Sequence, residues 1–214
     1  MKIQLTREQL QTIGSLSVFA AKGDAAKWVP VLSETRITLD TTAGTLTAVA
    51  TDRYCVMQYS TQYGDIITDT KPLPEKIQFR LTAALSKFLK TNTVKKWAGI
   101  GELELLDDES IAANLAGVRF TDKATKEKFP DIETLFTKWQ VANELVAHTL
   151  RAEFLARLDQ LKEHGEKVNF WNLMPGQHPN GTTGKPGPLK VTNGTTLTGL
   201  IQPNLIKDAA NANR

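Results

Sequence analysis

The chain contains 214 residues, of which 41% are hydrophobic and 23% charged, and this composition is ordinary for a globular protein of one large or two smaller domains. Its 26 basic and 23 acidic residues give a net charge of +3, so composition alone does not indicate a nucleic-acid binder. The single cysteine, Cys55, excludes an internal disulfide and a metal cluster of cysteines. Because no stretch approaches the roughly 18 apolar residues of a membrane span and the N-terminus lacks the pattern of a signal peptide, we expect a cytoplasmic protein without a membrane partner.

Three segments share a pattern in which a short strand is followed by a helix-capping residue and an amphipathic helix. In the first, Thr6 stands three residues before Gln9, the spacing of a capping box, and apolar residues follow at helical spacing. The strand and the residue that begins the helix are 2–5 with Thr6, 77–81 with Thr82, and 145–150 with Arg151. We expect the third helix to end at His164 and Gly165.

Short strands follow each predicted helix. They are 35–40, 46–51 and 55–59 after the first, 97–100, 102–107, 110–115 and 118–121 after the second, and 168–171, 189–192 and 196–201 after the third. Asn193 and Gly194 predict a two-residue hairpin turn between the last two strands. The chain is therefore predicted to contain three approximate β-α-β-β-β units, which begin near residues 2, 77 and 145.

A polar corner of residues 51–54 (TDRY) separates two alternating apolar runs that we predict to be strands. Together with Ala50, this corner closely resembles the "ATD-x-(H/Y)-R-L" corner of the bacterial DNA polymerase sliding clamps, the β-clamp family. Residues 129–132 (FPDI) are similar to the family's "FPDY" domain exit, and residues 199–205 (GLIQPNL) resemble its closing strand, "(V/L)-(I/V)-MP-x-R-L". The three motifs occur in the family's order, and the resemblance covers most of the chain.

The resemblance implies the sliding-clamp fold, an α+β fold of repeated β-α-β-β-β units with helices on one face of antiparallel sheets. Residues 1–138 would form one complete clamp-like domain, and residues 139–214 a reduced second domain with a polar tail. A Gly/Pro-rich loop, 174–188, interrupts the last unit, and it is either a surface insertion or a segment for partner contact or ring closure. One and a half domains suggest a short clamp, of the kind that a phage would encode.

In this family the corner lines a pocket between two domains, where polymerases and other clients dock a short peptide. The resemblance implies that the pocket is lined here by Thr51, Arg53, Tyr54, Val56, Pro130, Leu135, Leu200, Gln202 and Pro203. Such a set combines an apolar floor, a few polar groups and a proline-rigidified rim, although the same residues could form an ordinary core with turns. Cys55 stands where the family has an arginine and Gln202 where it has a methionine, so we expect an altered client preference.

Charge is segregated along the second predicted unit, because no acidic residue lies between Glu75 and Glu102. Lys87 and Lys90 are three residues apart and share one face of the helix, which is either a solvated basic face or a contact surface. In a clamp such helix faces line the hole around duplex DNA, where sequence-independent phosphate contact needs only diffuse positive charge. The DNA-facing set that the resemblance implies is Arg7, Lys22, Lys27, Arg80, Lys87, Lys90, Lys95, Lys96, Arg151 and Arg157.

Enzyme motifs are largely missing from the sequence. The glycines form no phosphate-binding loop, and the three histidines, His148, His164 and His178, lack the spacing of metal ligands. We therefore expect neither catalysis nor a cofactor or metal.

The function that these features favour is a sliding clamp, a processivity factor that encircles double-stranded DNA as a homo-oligomeric ring and tethers the replicative polymerase. A clamp loader would be a further partner. Rings in this family contain twelve repeated units, so three units per chain do not suit the usual dimer and a trimer or tetramer would be needed. The alternatives are a monomeric clamp-like protein that binds clamp clients without encircling DNA, and a simple DNA-binding module.

Overall fold

A computed structural model describes residues 1–68, 72–93, 99–142, 150–161, 170–178, 180 and 185–203. The strands are β1 (Lys2–Thr6), β2 (Thr35–Asp40), β3 (Thr45–Thr51), β4 (Cys55–Gln62), β5 (Ile66–Ile67), β6 (Lys76–Leu81), β7 (Ile100–Leu105), β8 (Ile111–Leu115), β9 (Val118–Asp122), β10 (Asn172–Met174), β11 (Leu189–Asn193) and β12 (Leu197–Ile201). The helices are α1 (Arg7–Ser15), α2 (Asp24–Trp28), α3 (Ala83–Asn92), α4 (Glu133–Lys138) and α5 (Ala152–Leu158). None of the described helices is long and apolar enough to cross a membrane.

The first two predicted helix starts are confirmed. Both caps are local, because the capping side chain accepts from an N–H group three residues later in the chain. The N–H of Gln9 donates to Oγ1 of Thr6 at 3.2 Å, and the N–H of Thr6 donates to Oε1 of Gln9 at 2.8 Å, which completes the capping box. Thr82 caps α3 by accepting a hydrogen bond from the N–H of Leu85 at 3.1 Å. The predicted end of the third helix, His164 and Gly165, lies outside the described residues.

The first two β-α-β-β-β units are confirmed as β1-α1-β2-β3-β4 and β6-α3-β7-β8-β9. For the third, the described residues show α5 followed by β10, β11 and β12, and the predicted first strand lies mainly outside them. The predicted two-residue turn in the last hairpin is wrong. Asn193 still pairs with Leu197, so the loop has three residues and begins at Gly194, whose φ is 56°.

The strands form two antiparallel sheets. Five strands follow the order β5-β1-β7-β8-β9, and seven follow the order β10-β11-β12-β4-β3-β2-β6. The last hairpin joins the strand after the corner, since β12 pairs with β4 and places Leu200 opposite Val56 and Ile201 opposite Cys55. The strands after residue 138 thus complete a sheet that the N-terminal region begins, and the predicted domain boundary at 138 stays a prediction.

Two buried clusters hold the sheets and helices together. The larger combines apolar side chains from both sheets with those of α1, α3 and α5, including Leu10, Leu89 and Phe154. The smaller cluster lies beneath the corner and comprises Ala21, Val31, Leu32, Val49, Val56, Phe129, Ile132 and Leu200. The domain exit and the closing strand therefore pack together behind the corner.

Candidate docking pocket

The corner between β3 and β4 is fixed by its own side chains. Oδ1 of Asp52 accepts hydrogen bonds from the N–H groups of Tyr54 and Cys55, both at 2.9 Å. Oγ1 of Thr51 donates to the carbonyl of Cys55 at 2.8 Å and accepts from the N–H of Arg53 at 3.2 Å. Arg53 adopts a left-handed φ of 79°. This turn directs the exposed side chains of Arg53 and Tyr54 away from the sheet core.

A long-range ion pair secures the corner to α5. Nη1 of Arg157 lies 2.6 Å from Oδ2 of Asp52 and 3.3 Å from Sγ of Cys55. The two charged side chains are only 21% and 12% exposed, respectively. Arg157, which we expected among the DNA-facing residues, thus lies in an ion pair with Asp52 inside the corner, and its DNA-facing role stays a prediction. The guanidinium lies beside Cys55, the position where the family resemblance implied an arginine.

Burial and hydrogen bonding set the charge states of this corner. Burial alone would raise the pKa of Asp52, but hydrogen bonds from Arg157, Cys55 and Tyr54 hold that pKa below its ordinary value. Burial and then the nearby charge of Asp52 raise the pKa of the Cys55 thiol far above its ordinary value. Cys55 is therefore a protonated, packed thiol rather than a nucleophile at neutral pH.

Helix α4 forms a wall opposite the corner. Arg36 forms an ion pair with Glu133 at the start of α4, and its guanidinium lies 5.2 Å from the ring centre of Phe129. At the other end, Nε1 of Trp139 donates to the carbonyl of Pro188 at 2.9 Å. Between these two anchors Leu135 remains 54% exposed.

A cavity of about 270 Å³ lies between the corner, β12 and α4. Its lining comprises Thr51, Arg53, Tyr54, Cys55, Val56, Thr134, Leu135, Lys138, Trp139, Gln177, Pro188, Leu200 and Gln202. Seven of the nine residues proposed for the pocket thus come together, whereas Pro130 and Pro203 are outside the lining. Pro130 is exposed and Pro203 is buried.

Apart from Leu135, sequence reasoning missed the lining residues that α4 with Trp139 and the Gly/Pro-rich loop contribute. The spacing of Ile132, Leu135, Phe136 and Trp139 is that of one helix face, and this signal would have predicted α4. Gln177 and Pro188 belong to the loop 174–188, whose described residues at both ends reach the cavity. No short sequence pattern predicts that contact, because it depends on how the loop returns to Trp139.

Three of the expected DNA-facing cations form one group of positive side chains: Lys22, Lys87 and Lys90. Lys22 and Lys87 are exposed, and Nζ of Lys90 donates to Oε1 of Gln160 at 3.3 Å. Burial, and then the positive charge of Lys22, lower the pKa of Lys90. Lys22 and Lys90 are therefore close enough to act on one anionic partner.

The remaining expected cations are held in local contacts. Arg7 donates to the carbonyl of Thr93 at 3.0 Å and pairs with Glu8, and Lys27 pairs with Asp24 at 3.0 Å. Arg80 contacts the carboxylate of Glu34 and the carbonyls of Thr125 and Glu127. Arg151 contacts the carboxylate of Glu153 and the ring of Tyr54. Lys95 and Lys96 lie outside the described residues. Within the described residues, Lys22 and Lys87 have no ion pair, and the DNA-facing role of the whole set stays a prediction.

No protein-family model and no curated protein sequence matches the chain. Its three-dimensional structure, however, is similar to that of the DNA polymerase sliding clamp from Bacillus subtilis, with a TM-score of 0.59 and 13% identity over 95% of this chain. The Helicobacter pylori beta clamp, solved bound to a DNA ligase peptide, gives a TM-score of 0.61 and 12% identity over the whole chain. The chain has the sliding-clamp fold.

The chain is shorter than the clamps that it resembles in structure. The chain covers 64% of the Bacillus subtilis clamp and 69% of the Helicobacter pylori clamp. The fold class expected from the corner, the exit and the closing strand is confirmed, together with the α+β arrangement. Within the described residues, no group of three or more His, Cys, Asp or Glu side chains is placed to hold a metal ion.

Proposed function

We propose that this protein is a DNA sliding clamp, a non-catalytic processivity factor that forms a homo-oligomeric ring around duplex DNA and tethers a polymerase through the docking pocket. The observation that carries this proposal is the pocket itself, built in a clamp fold from the corner, the closing strand and α4. A clamp loader, a cytoplasmic location and a phage origin belong to the same proposal.

The pocket has the chemistry of a peptide-docking site. Its floor includes Val56 and Leu200, which are 3% and 5% exposed, while Tyr54 and Leu135 at its sides are 56% and 54% exposed. Large apolar side chains left in contact with water around a concave surface mark a binding site. An apolar side chain of an extended peptide would cover them, and the exposed side-chain amide of Gln202 would orient the peptide backbone.

The Leu135→Asp variant tests docking directly. We expect it to weaken binding of a DNA ligase peptide of the kind bound to the Helicobacter pylori clamp by at least about tenfold, because it removes an apolar contact and adds a carboxylate that a bound apolar side chain would desolvate. Folding should be unchanged, since Leu135 is half exposed. Fluorescence anisotropy with labelled peptide gives the affinity, and Leu155→Asp, on a helical leucine 44% exposed and outside the cavity, is the matched control. Equal binding by both variants would contradict the assignment.

DNA contact is proposed for the group formed by Lys22, Lys87 and Lys90. Changing all three to glutamate should weaken binding to duplex DNA by more than about tenfold and lower the salt dependence by about one unit of slope per lost phosphate contact. Filter binding or anisotropy at several salt concentrations gives both quantities. The matched control changes three exposed lysines on β6 and the 123–129 segment: Lys76, Lys126 and Lys128. If the control weakens DNA binding equally, the group is not the DNA-facing surface.

Ring formation is supported by the outer edges of the sheets. Val118 on β9 and Leu173 on β10 are 52% and 49% exposed, and each of these strands lies at the end of its sheet in the described part of the chain. Open strand edges with apolar side chains are normally covered, and a second copy of the chain would cover them.

One alternative is favoured by the pocket, because one copy of the chain supplies the lining. A monomer that binds clamp clients without encircling DNA is therefore the second candidate function. It predicts the same loss of peptide binding on Leu135→Asp, but a monomeric mass and no stable retention on circular DNA.

A further inference from the structure

The described residues that line the docking pocket carry a net positive charge. Among these described residues, two side chains are cationic, Arg53 and Lys138, and none is acidic. We propose that the peptide segment bound there carries a carboxylate next to its apolar anchor, and that Arg53 and Lys138 select it by ion pairing. This inference rests on the proposed docking function and adds to it the chemical class of the client.

Both rim cations are available for a ligand. Within the described residues, neither side chain has an ion pair or a side-chain hydrogen bond, and both are exposed. Two other arginines close to the same walls are already neutralised, since Arg36 pairs with Glu133 and Arg157 pairs with Asp52. Within the described residues, Arg53 and Lys138 therefore keep unpaired positive charges at the mouth of the cavity.

Three carboxylates lie close to the walls of the cavity, and none of them is among its described lining residues. Asp52 and Glu133 are engaged by the arginines just named. Asp131 accepts a hydrogen bond from Oγ1 of Thr134 at 2.7 Å and keeps its negative charge, so it offsets part of the positive charge from outside the cavity. A ligand carboxylate inside the cavity would be attracted by Arg53 and Lys138. An attraction of this kind adds specificity to apolar burial, which by itself selects poorly among hydrophobic peptides.

Two further cations strengthen the potential at the aromatic sides of the pocket. The guanidinium of Arg151 lies 5.6 Å from the ring centre of Tyr54, and Nζ of Lys190 lies 4.9 Å from that of Trp139. Both rings line the cavity. Cations stacked on the rings keep positive charge beside the site, although Glu153 partly offsets Arg151.

The backbone of Arg53 gives independent support. Its φ of 79° is a conformation that glycine adopts freely and that an arginine adopts at a cost in free energy. An arginine kept in a strained turn at the mouth of a cavity is consistent with a functional side chain.

Peptide selection followed by charge removal tests the inference. Heptapeptides selected from a random displayed library against the native protein are resynthesised with each Asp or Glu changed to Asn or Gln. We expect the selected peptides to carry an acidic residue, and its neutralisation to weaken binding about three- to tenfold at low salt, with a smaller effect at high salt. Arg53→Gln and Lys138→Gln should remove this difference between acidic and neutral peptides, whereas Lys76→Gln on distant β6 should preserve it. Thermal unfolding checks that each variant is folded.

The outcomes separate this inference from the docking function. If Leu135→Asp removes peptide binding but acidic and neutral peptides bind equally to the native protein, carboxylate selection is overturned and docking stands. An equal loss with Lys76→Gln would also overturn it, because general charge would then explain the preference. If no peptide binds, or if Leu135→Asp has no effect, both the docking function and the inference are overturned.

Discussion

Replacing Arg157 by alanine is expected to lower the free energy of unfolding by about 2 kcal/mol, because the change leaves the 12%-exposed carboxylate of Asp52 without its counter-charge. The partial exposure of Arg157 keeps this value below the loss seen for a fully buried pair. Urea denaturation of the native protein and the variant measures the difference.

Two further variants isolate the pair. Asp52→Asn together with Arg157→Ala should be less destabilised than the sum of the two single changes, since each single change removes the same contact. Arg157→Lys should retain part of the stability, because it keeps the charge but not the planar guanidinium. Strict additivity in this double-mutant cycle would show that the ion pair does not hold the corner to α5.

The lowered pKa of Asp52 predicts how the free energy of unfolding depends on pH. Its folded pKa is lowered, so its contribution to stability is fully present above the unfolded value of about 3.9 and is lost as the pH falls through the folded pKa. The stability difference between the native protein and Asp52→Asn should therefore be constant at neutral pH and shrink below about pH 4. Urea midpoints over a pH series give this curve, and a difference that grows on acidification would contradict the assigned sign.

The second large effect is expected at Gly14, where α1 crosses α3. A Cβ atom at this position would lie 2.6 Å from the backbone N of Lys90, 2.8 Å from the carbonyl O of Ser86 and 2.9 Å from Cβ of Leu89. Backbone atoms cannot move aside like the end of a flexible side chain, so the two helices must separate. We expect Gly14→Ala to lower the free energy of unfolding by about 2 kcal/mol, despite alanine's higher helix propensity, and Gly14→Val by about 3 kcal/mol or more.

Thermal or urea unfolding of these variants measures the effect of the close helix contact. Gln11→Ala, a half-buried position on the same helix, is the matched control and should be neutral or slightly stabilising. If Gly14→Ala is as stable as the native protein, the helices do not need this close approach. Because Lys90 is one of the contacted residues, separation of α1 and α3 should also alter DNA binding.

Local features were predictable from the sequence, because the groups that cause them are neighbours in the chain. The caps at Thr6 and Thr82 follow from side chains that reach N–H groups three residues away. The corner at 51–54 likewise follows from an Asp and a Thr that satisfy the turn's own backbone. These motifs were sufficient to indicate the fold.

Long-range features of the site were not predictable by the same reasoning. The contact between Arg157 and Asp52 joins residues 105 positions apart, whereas the family resemblance placed Arg157 among the DNA-facing residues. The wall contributed by Pro188 depends on a hydrogen bond to Trp139, 49 residues earlier. Both contacts depend on the tertiary placement of α5 and of the loop before β11, which no local residue pattern specifies.

The most direct test of the proposed ring is the mass of the native protein in solution. Light scattering coupled to size exclusion, at micromolar concentration, should give three or four times the chain mass of 23.6 kDa. The double variant Val118→Lys with Leu173→Lys should be a monomer, because a lysine at each exposed strand edge blocks pairing with another copy. A native protein that stays at 23.6 kDa at every concentration would contradict the ring and leave the monomeric client-binding protein as the function.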